Sequence, residues 1–202
     1  MLLRLIKRII LAGIARRNHI KAIWLHKKCL ISVWVYSINA SFANDCRFFV
    51  PVSVKYSKGK LTIGKGAVFG SSPSPMQGNG KIIIQARAPS SEVVIGENCV
   101  LSNNVSIISC ESILIGNDFL CGDSVSIIDS DFHGVLPSER RTAGKTEKVS
   151  IGDNVWFGSR VMVMKGVTIG ANSVIAPNSI VTSDIPENVV AGGVPAKIIK
   201  KI

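Results

Sequence analysis

The stretch from residue 151 to 186 reads IGDNVW FGSRVM VMKGVT IGANSV IAPNSI VTSDIP, and it decides the fold. An apolar residue returns at every sixth position, through Ile151, Phe157, Val163, Ile169, Ile175 and Val181. The next position is small or short in most hexads: Gly152, Gly158, Gly170, Ala176 and Thr182. Four places after the apolar residue stands a second small or β-branched one: Val155, Val161, Val167, Ser173 and Ser179. Neither a helix nor a half-buried strand has this period. A chain that turns a corner every six residues does. Three such sides make a triangular coil of about 18 residues, with the periodic apolar residue pointing into the prism. Glycine and other small residues suit the tight corners.

Working outward, the same pattern begins at Ile63-Gly64-Lys65-Gly66-Ala67-Val68. It restarts at Ile95-Gly96 and continues through Leu101 and Ile107. Ile115-Gly116 opens a further coil, continued by Cys121 and Ile127. The step from Ile95 to Ile115 is two residues too long for a coil, which predicts a small bulge near Cys110. Residues 30–57 are β-rich and irregular and read as the first, imperfect coils. Two segments break the repeat. Residues 70–80, GSSPSPMQGNG, form a Gly/Pro/Ser excursion that must leave the prism as a loop. Residues 133–148 lack apolar hexads, carry Arg140, Arg141, Lys145 and Lys148, and read as a loop projecting from a corner, where function tends to concentrate. The Gly/Pro turn at 191–196 and the basic piece after it suit a cap on the open end of the stack. The expected organisation is therefore a helical segment at 1–28, a parallel β-helix at 29–190 and a cap at 191–202.

A chain of 202 residues with 47% hydrophobic and 18% charged residues can bury one good core. Its five cysteines, Cys29, Cys46, Cys99, Cys110 and Cys121, include no CxxC pair and read as reduced, mostly buried thiols of a cytosolic protein. Three scattered histidines are too few for a zinc site, so no metal is expected. The net charge is +11, and residues 1–44 hold eight Lys/Arg and no acid. The rest is only mildly basic, which argues against nucleic acid as a partner. Along residues 2–28, Leu2, Leu5, Ile6, Ile9 and Ile10 share one helical face, opposed to Arg4, Lys7 and Arg8. The apolar run from Ile9 to Ala15 is too short to span a bilayer. Arg16 and Arg17 stand where a signal peptide would need a small-residue cleavage site. This segment is either a cap packing on the first coil or a neighbouring subunit, or a basic amphipathic helix lying on an anionic membrane.

His133 is the one histidine of the repeat region, and it ends Ile127-Ile128-Asp129-Ser130-Asp131-Phe132-His133 where a coil gives way to the loop. On extended chain Asp131 and His133 share a face, so Asp131 could fix the tautomer of the imidazole. Corner turn chemistry is the alternative for both aspartates, more so for Asp129.

The DSDFHG segment resembles the active-site segment of the sugar and polysaccharide O-acetyltransferases of the hexapeptide-repeat acyltransferase family. Residues 151–202 resemble its galactoside and maltose acetyltransferase branch. The resemblance covers residues 60–202 well and the first 45 poorly. It implies a left-handed parallel β-helix, whereas crossover sterics alone would favour the right hand. It also implies a homotrimer with acetyl-CoA as co-substrate and His133 as general base for direct transfer to an acceptor hydroxyl. Backbone N–H groups near Gly158 and Ser159 would receive the oxyanion. On the same basis Trp156, Gly158 and Ser159 flank the pantetheine arm, Ala176, Pro177 and Thr182 line the rest of the CoA groove, and Lys197 and Lys200 meet its phosphates. Asn104, with Trp156, would touch the acceptor sugar. Trp156 also reads as a large side chain at a subunit seam, Lys197 and Lys200 as a solvated basic tail, and Asn104 as a corner residue. The helical N-terminal domain of the galactoside and maltose enzymes is not recognisable, which points away from a small free sugar. The expected acceptor is a bacterial surface glycan (O-antigen, capsule or lipid-linked precursor), acetylated in the cytoplasm, at the inner face of the membrane if residues 1–28 bind it. The alternatives are a non-catalytic β-helix scaffold and an acetyltransferase for a small acceptor such as an antibiotic.

Overall fold

Three parallel sheets wrap around one core in a computed structural model of the chain, which describes residues 16–17, 20–21, 23–33, 38–71, 74 and 79–202. The first face carries Ala40–Phe42, Lys60–Ile63, Glu92–Ile95, Ser112–Ile115, Val149–Ile151 and Thr168–Ile169, stacked in that order. The second runs from Arg47–Phe48 through Val68–Phe69, Val100–Leu101, Leu120–Cys121, Trp156–Phe157 and Val174–Ile175 to Val189–Gly193 and Ala196–Lys201. The third holds Val52–Ser53, Ile82–Ala86, Ser106–Ser109, Ser126–Ile128, Met162–Val163 and Ile180–Val181. Successive strands in the chain visit the three faces in turn, and each pairs in parallel with the strand one coil away. The architecture is the left-handed parallel β-helix.

The hexad explains the register. Ile151 pairs with Ile169, one uninterrupted coil away. All six periodic apolar residues of the opening stretch are buried, and so are Val155, Val161, Val167, Ser173 and Ser179. Each side of the triangle thus sends two residues inward, and the core runs as a single column from Leu25 to Ala196. Aromatic pairs sit within it, Phe48 stacked on Phe69 at 4.9 Å and Phe119 edge-on to Phe157 at 5.0 Å. The left-handed bend at each corner falls three places after the periodic residue, not one. Asn154, Arg160, Asn172 and Asn178 have φ between 55° and 60°. Asparagine tolerates this region where other side chains are strained. The glycine directly after the periodic residue serves the stacking instead. A Cβ on Gly158 would lie 2.6 Å from Pro177 of the next coil.

Ile95 pairs with Ile115, so the two surplus residues bulge out at Cys110 and Glu111. The Asp129 carboxylate holds that bulge, accepting from Ser109 Oγ at 2.6 Å, Cys110 N–H at 2.7 Å and Glu111 N–H at 2.9 Å. The helix at the start of the described chain continues to residue 33, so residues 30–33 are helical and the first strand is Ala40–Phe42. Alternation alone does not separate a β-branched helix end from a strand. The amphipathic pattern expected from Leu2 to Ile10 lies outside the described residues, as does most of the 70–80 excursion. Residues 135–148 project as an almost wholly exposed loop with one short 3-10 turn at Pro137–Glu139. The last strands, Val189–Gly193 and Ala196–Lys201, form an antiparallel hairpin that closes the stack. All five cysteines are free, four of them buried. Among the described residues no helix is long and apolar enough to cross a membrane.

Candidate active site

The strand order distributes the candidate residues over two corners of the prism. Asn104 lies between second-face Val100–Leu101 and third-face Ser106–Ser109. Gly158 and Ser159 occupy the same corner between Trp156–Phe157 and Met162–Val163, and Ala176 and Pro177 occupy it one coil further. His133 and Asp131 follow third-face Ser126–Ile128 and precede first-face Val149–Ile151, so they stand on the next corner. Thr182 stands on that corner too, two coils on. Within one protomer His133 and Thr182 therefore stand on one corner and Ser159, Ala176 and Pro177 on another, so Thr182 does not join the groove expected beside Ala176 and Pro177.

The His133 corner is built by short-range bonds. The His133 N–H donates to the Asp131 carbonyl at 2.7 Å, which closes a tight turn around Phe132. Phe132 sits at φ 61°, a left-handed conformation that costs a bulky residue energy and is held only where its surroundings enforce it. Here the Ser130 hydroxyl accepts the Phe132 N–H at 2.9 Å, and the Arg87 guanidinium lies 5.2 Å over the phenyl ring. The loop closes by a bridge between Ser130 and Thr146. His133 itself is exposed. The Asp131 carboxylate reaches Lys165 Nζ at 3.7 Å rather than the imidazole. Lys165 also donates to Glu147 at 2.8 Å, and this bond holds the Glu147 carboxyl below its usual range and raises the Lys165 ammonium above its own. Lys165, Glu147 and Arg87 escaped the sequence reading. Their only signal is that coil stacking places residues 87 and 165 on the His133 corner, and the hexad register must be known before it can be read.

On the other corner the Gly158 N–H is already used, donating to Ile175 O at 2.8 Å. It cannot also serve an oxyanion. The Ser159 N–H has no partner among the described residues, so it is the candidate donor on this corner. Trp156 is 53% exposed and projects outward from the second face beside the exposed Leu120. The Asn104 amide nitrogen is buried with no partner, and φ there is 59°, so the corner role and an unmet hydrogen bond coexist at this residue. Asn103 on the same corner is buried. Lys197 and Lys200 are exposed on the closing hairpin, which continues the second face beyond Trp156 and Val174. Among the described residues no cluster of His, Cys, Asp or Glu could hold a metal ion.

Comparison with known proteins places the chain. Residues 148–183 match the bacterial transferase hexapeptide (six repeats) model, and residues 93–109 match the hexapeptide repeat of succinyl-transferase. Galactoside O-acetyltransferase of Escherichia coli (strain K12) is 41% identical over 55% of this chain and 55% of its own. The chain spans about half the length of the curated relatives it matches. A galactoside acetyltransferase solved in complex with coenzyme A superposes with a TM-score of 0.51 at 30% identity, covering 69% of this chain and 64% of that one. The polySia-specific acetyltransferase NeuO superposes at 0.54 with 26% identity, covering 81% and 85%. Hexapeptide repeats are thus matched over two parts of the chain, and the chain is similar to sugar O-acetyltransferases over about half of their length.

Proposed function

We propose that the protein is an acetyl-CoA-dependent O-acetyltransferase that acetylates a hydroxyl of a bacterial surface glycan or its lipid-linked precursor in the cytoplasm. The observation that carries this reading is the exposed His133, presented by an enforced turn on one corner, while the free Ser159 N–H and the column toward Lys197 stand on another. A homotrimer brings these corners together across its seams. The thioester lies beside Trp156 and Ser159, the pantetheine arm passes Ala176 and Pro177 with Thr182 of the His133 corner on the opposite wall of the seam, and the phosphates meet Lys197 and Lys200 as point charges. The solved relative with coenzyme A supports this cofactor, and the polySia-specific relative supports a polymeric glycan acceptor.

In the reaction an unprotonated nitrogen of His133 takes the proton of the acceptor hydroxyl. The oxygen attacks the thioester carbonyl, and the tetrahedral oxyanion receives the Ser159 N–H. Collapse breaks the C–S bond, and the imidazolium returns the proton to the departing thiolate. No acyl-enzyme is needed, and the buried cysteines are unsuited to form one: burial pushes the Cys121 thiol up to about 12, far from a reactive thiolate. Asp131, paired with Lys165, shapes the turn and reaches the imidazole only after a side-chain rearrangement. Asn104 turns its unpaired amide to the acceptor.

The test is thiol release from acetyl-CoA by the purified protein with a panel of surface polysaccharides, free sugars and antibiotics. A polysaccharide-dependent release supports the reading. Release with antibiotics alone overturns the acceptor, and absent release together with absent acetyl-CoA binding leaves a scaffold.

A further inference from the structure

The N-terminal helix has two apolar faces, and the β-helix uses only one. Leu25 and Cys29 are buried at 4% and 2%, and His26 stacks on Phe48 at 4.8 Å, so this side plugs the open end of the first coil. At about 100° per residue, Ile20, Ile23, Trp24, Leu30 and Ile31 fall on the opposite side. They are 43–59% exposed. Lys27 lies within that stripe, while Arg17, Lys21 and Lys28 flank it. The Lys28 ammonium sits 4.9 Å over the Trp24 ring.

We propose that this outer face is a docking surface for an anionic lipid bilayer, which it meets lying flat. Charge selects this occupant. Residues 1–44 carry eight basic side chains and no acid. A second copy of the helix would bring its own lysines against these, and residues 2–15 of the same chain would bring Arg4, Lys7 and Arg8. A surface rich in phosphates satisfies the lysines, while the stripe with its tryptophan enters the headgroup boundary. The inner face then fixes the orientation, with the first coil next to the membrane and the closing hairpin away from it. The proposal stands apart from the acetyl-transfer reading, because vesicle binding is read without acetyl-CoA.

Co-sedimentation of the full chain with phosphatidylcholine vesicles, with and without phosphatidylglycerol, tests it. Binding is expected only with phosphatidylglycerol and weakens as salt rises. An Ile23→Asp/Ile31→Asp variant and a Lys21→Glu/Lys27→Glu variant should each lose about tenfold or more in partitioning while melting at the wild-type temperature, because all four positions are exposed. Both variants keep residues 1–15 intact, so the loss belongs to this helix. Equal binding to both vesicle types, a stripe variant that sediments like the wild type, or a stripe variant whose main effect is a smaller oligomer would overturn the proposal.

Discussion

Asp129 and Asp131 flank one serine and do different work. Asp129 is fully buried and spends its carboxylate on the bulge at Cys110 and Glu111, three donors in all. Removing it in Asp129→Ala leaves the buried Ser109 hydroxyl and two part-buried backbone N–H groups without their partner. A loss of about 3 kcal/mol is expected in chemical denaturation, with Cys110 more open to thiol reagents. Asp131 is half-exposed and paired with Lys165, so Asp131→Asn should leave stability almost unchanged and act instead on the pH profile of turnover. The sequence presented both as aspartates two and four places before a histidine. It could not rank them by burial, because the bulge that consumes Asp129 lies a coil away.

The thiols make a second residue-scale prediction. Burial raises Cys29 and Cys121 to about 12 and Cys99 to about 11, from an ordinary 9.0. Above pH 9 the unfolded chain releases these protons and the folded chain keeps them, so the unfolded state binds fewer protons there. The stability they contribute is complete below pH 9 and is lost as pH climbs toward 11 for Cys99 and toward 12 for Cys29 and Cys121. Denaturant midpoints should therefore fall across that window. A Cys121→Val variant should show a shallower fall. In the native protein at neutral pH, Cys110 should be the one thiol to react promptly.

At the scale of the element, the hexad decided nearly everything that the core required. The periodic residue and the one two places before it are the inward pair on each side, and both were visible in the spacing. Phe157→Ala should cost about 3–5 kcal/mol, because the cavity opens against Phe119 within a rigid stack. The corners were legible only in part. Spacing located a glycine beside each turn, but its reason lies in the coil above. Gly158→Ala would set a methyl 2.6 Å from Pro177 and force two coils apart at the corner proposed to hold the cofactor. Its signature is a raised KM for acetyl-CoA along with a lowered melting temperature. The Asn154–Asn172–Asn188 ladder, with side-chain bonds of 3.0 Å, was equally hidden. Its members are 18 and 16 residues apart, and only the stacked coil makes them neighbours. The helix running on to residue 33 escaped because its β-branched end alternates like a strand.

At the scale of the molecule, the resemblance implied a histidine and a cofactor groove meeting across a subunit seam, and the structure adds that His133 and Ser159 stand on different corners of one prism. His133 was legible as a singular residue at a repeat boundary, and the Gly158–Ser159 wall as a match to relatives. That they stand on different corners follows from strand order, which the structure supplies. The proposed site, split over two corners, requires a neighbour, and light scattering should give a trimer. Mixing two inactive variants, His133→Ala and Ser159→Pro, with subunit exchange should restore part of the activity, since some seams then pair an intact histidine with an intact N–H. A trimer that gains nothing on mixing would place both halves of the site within one protomer.

The most direct measurement compares wild type and His133→Ala in acetyl transfer from acetyl-CoA to a surface polysaccharide, with acetyl-CoA binding followed in parallel. The account predicts that the variant loses at least about 10²-fold in kcat, keeps its oligomeric state and binds acetyl-CoA as the wild type does. Turnover within a few-fold of the wild type would contradict it.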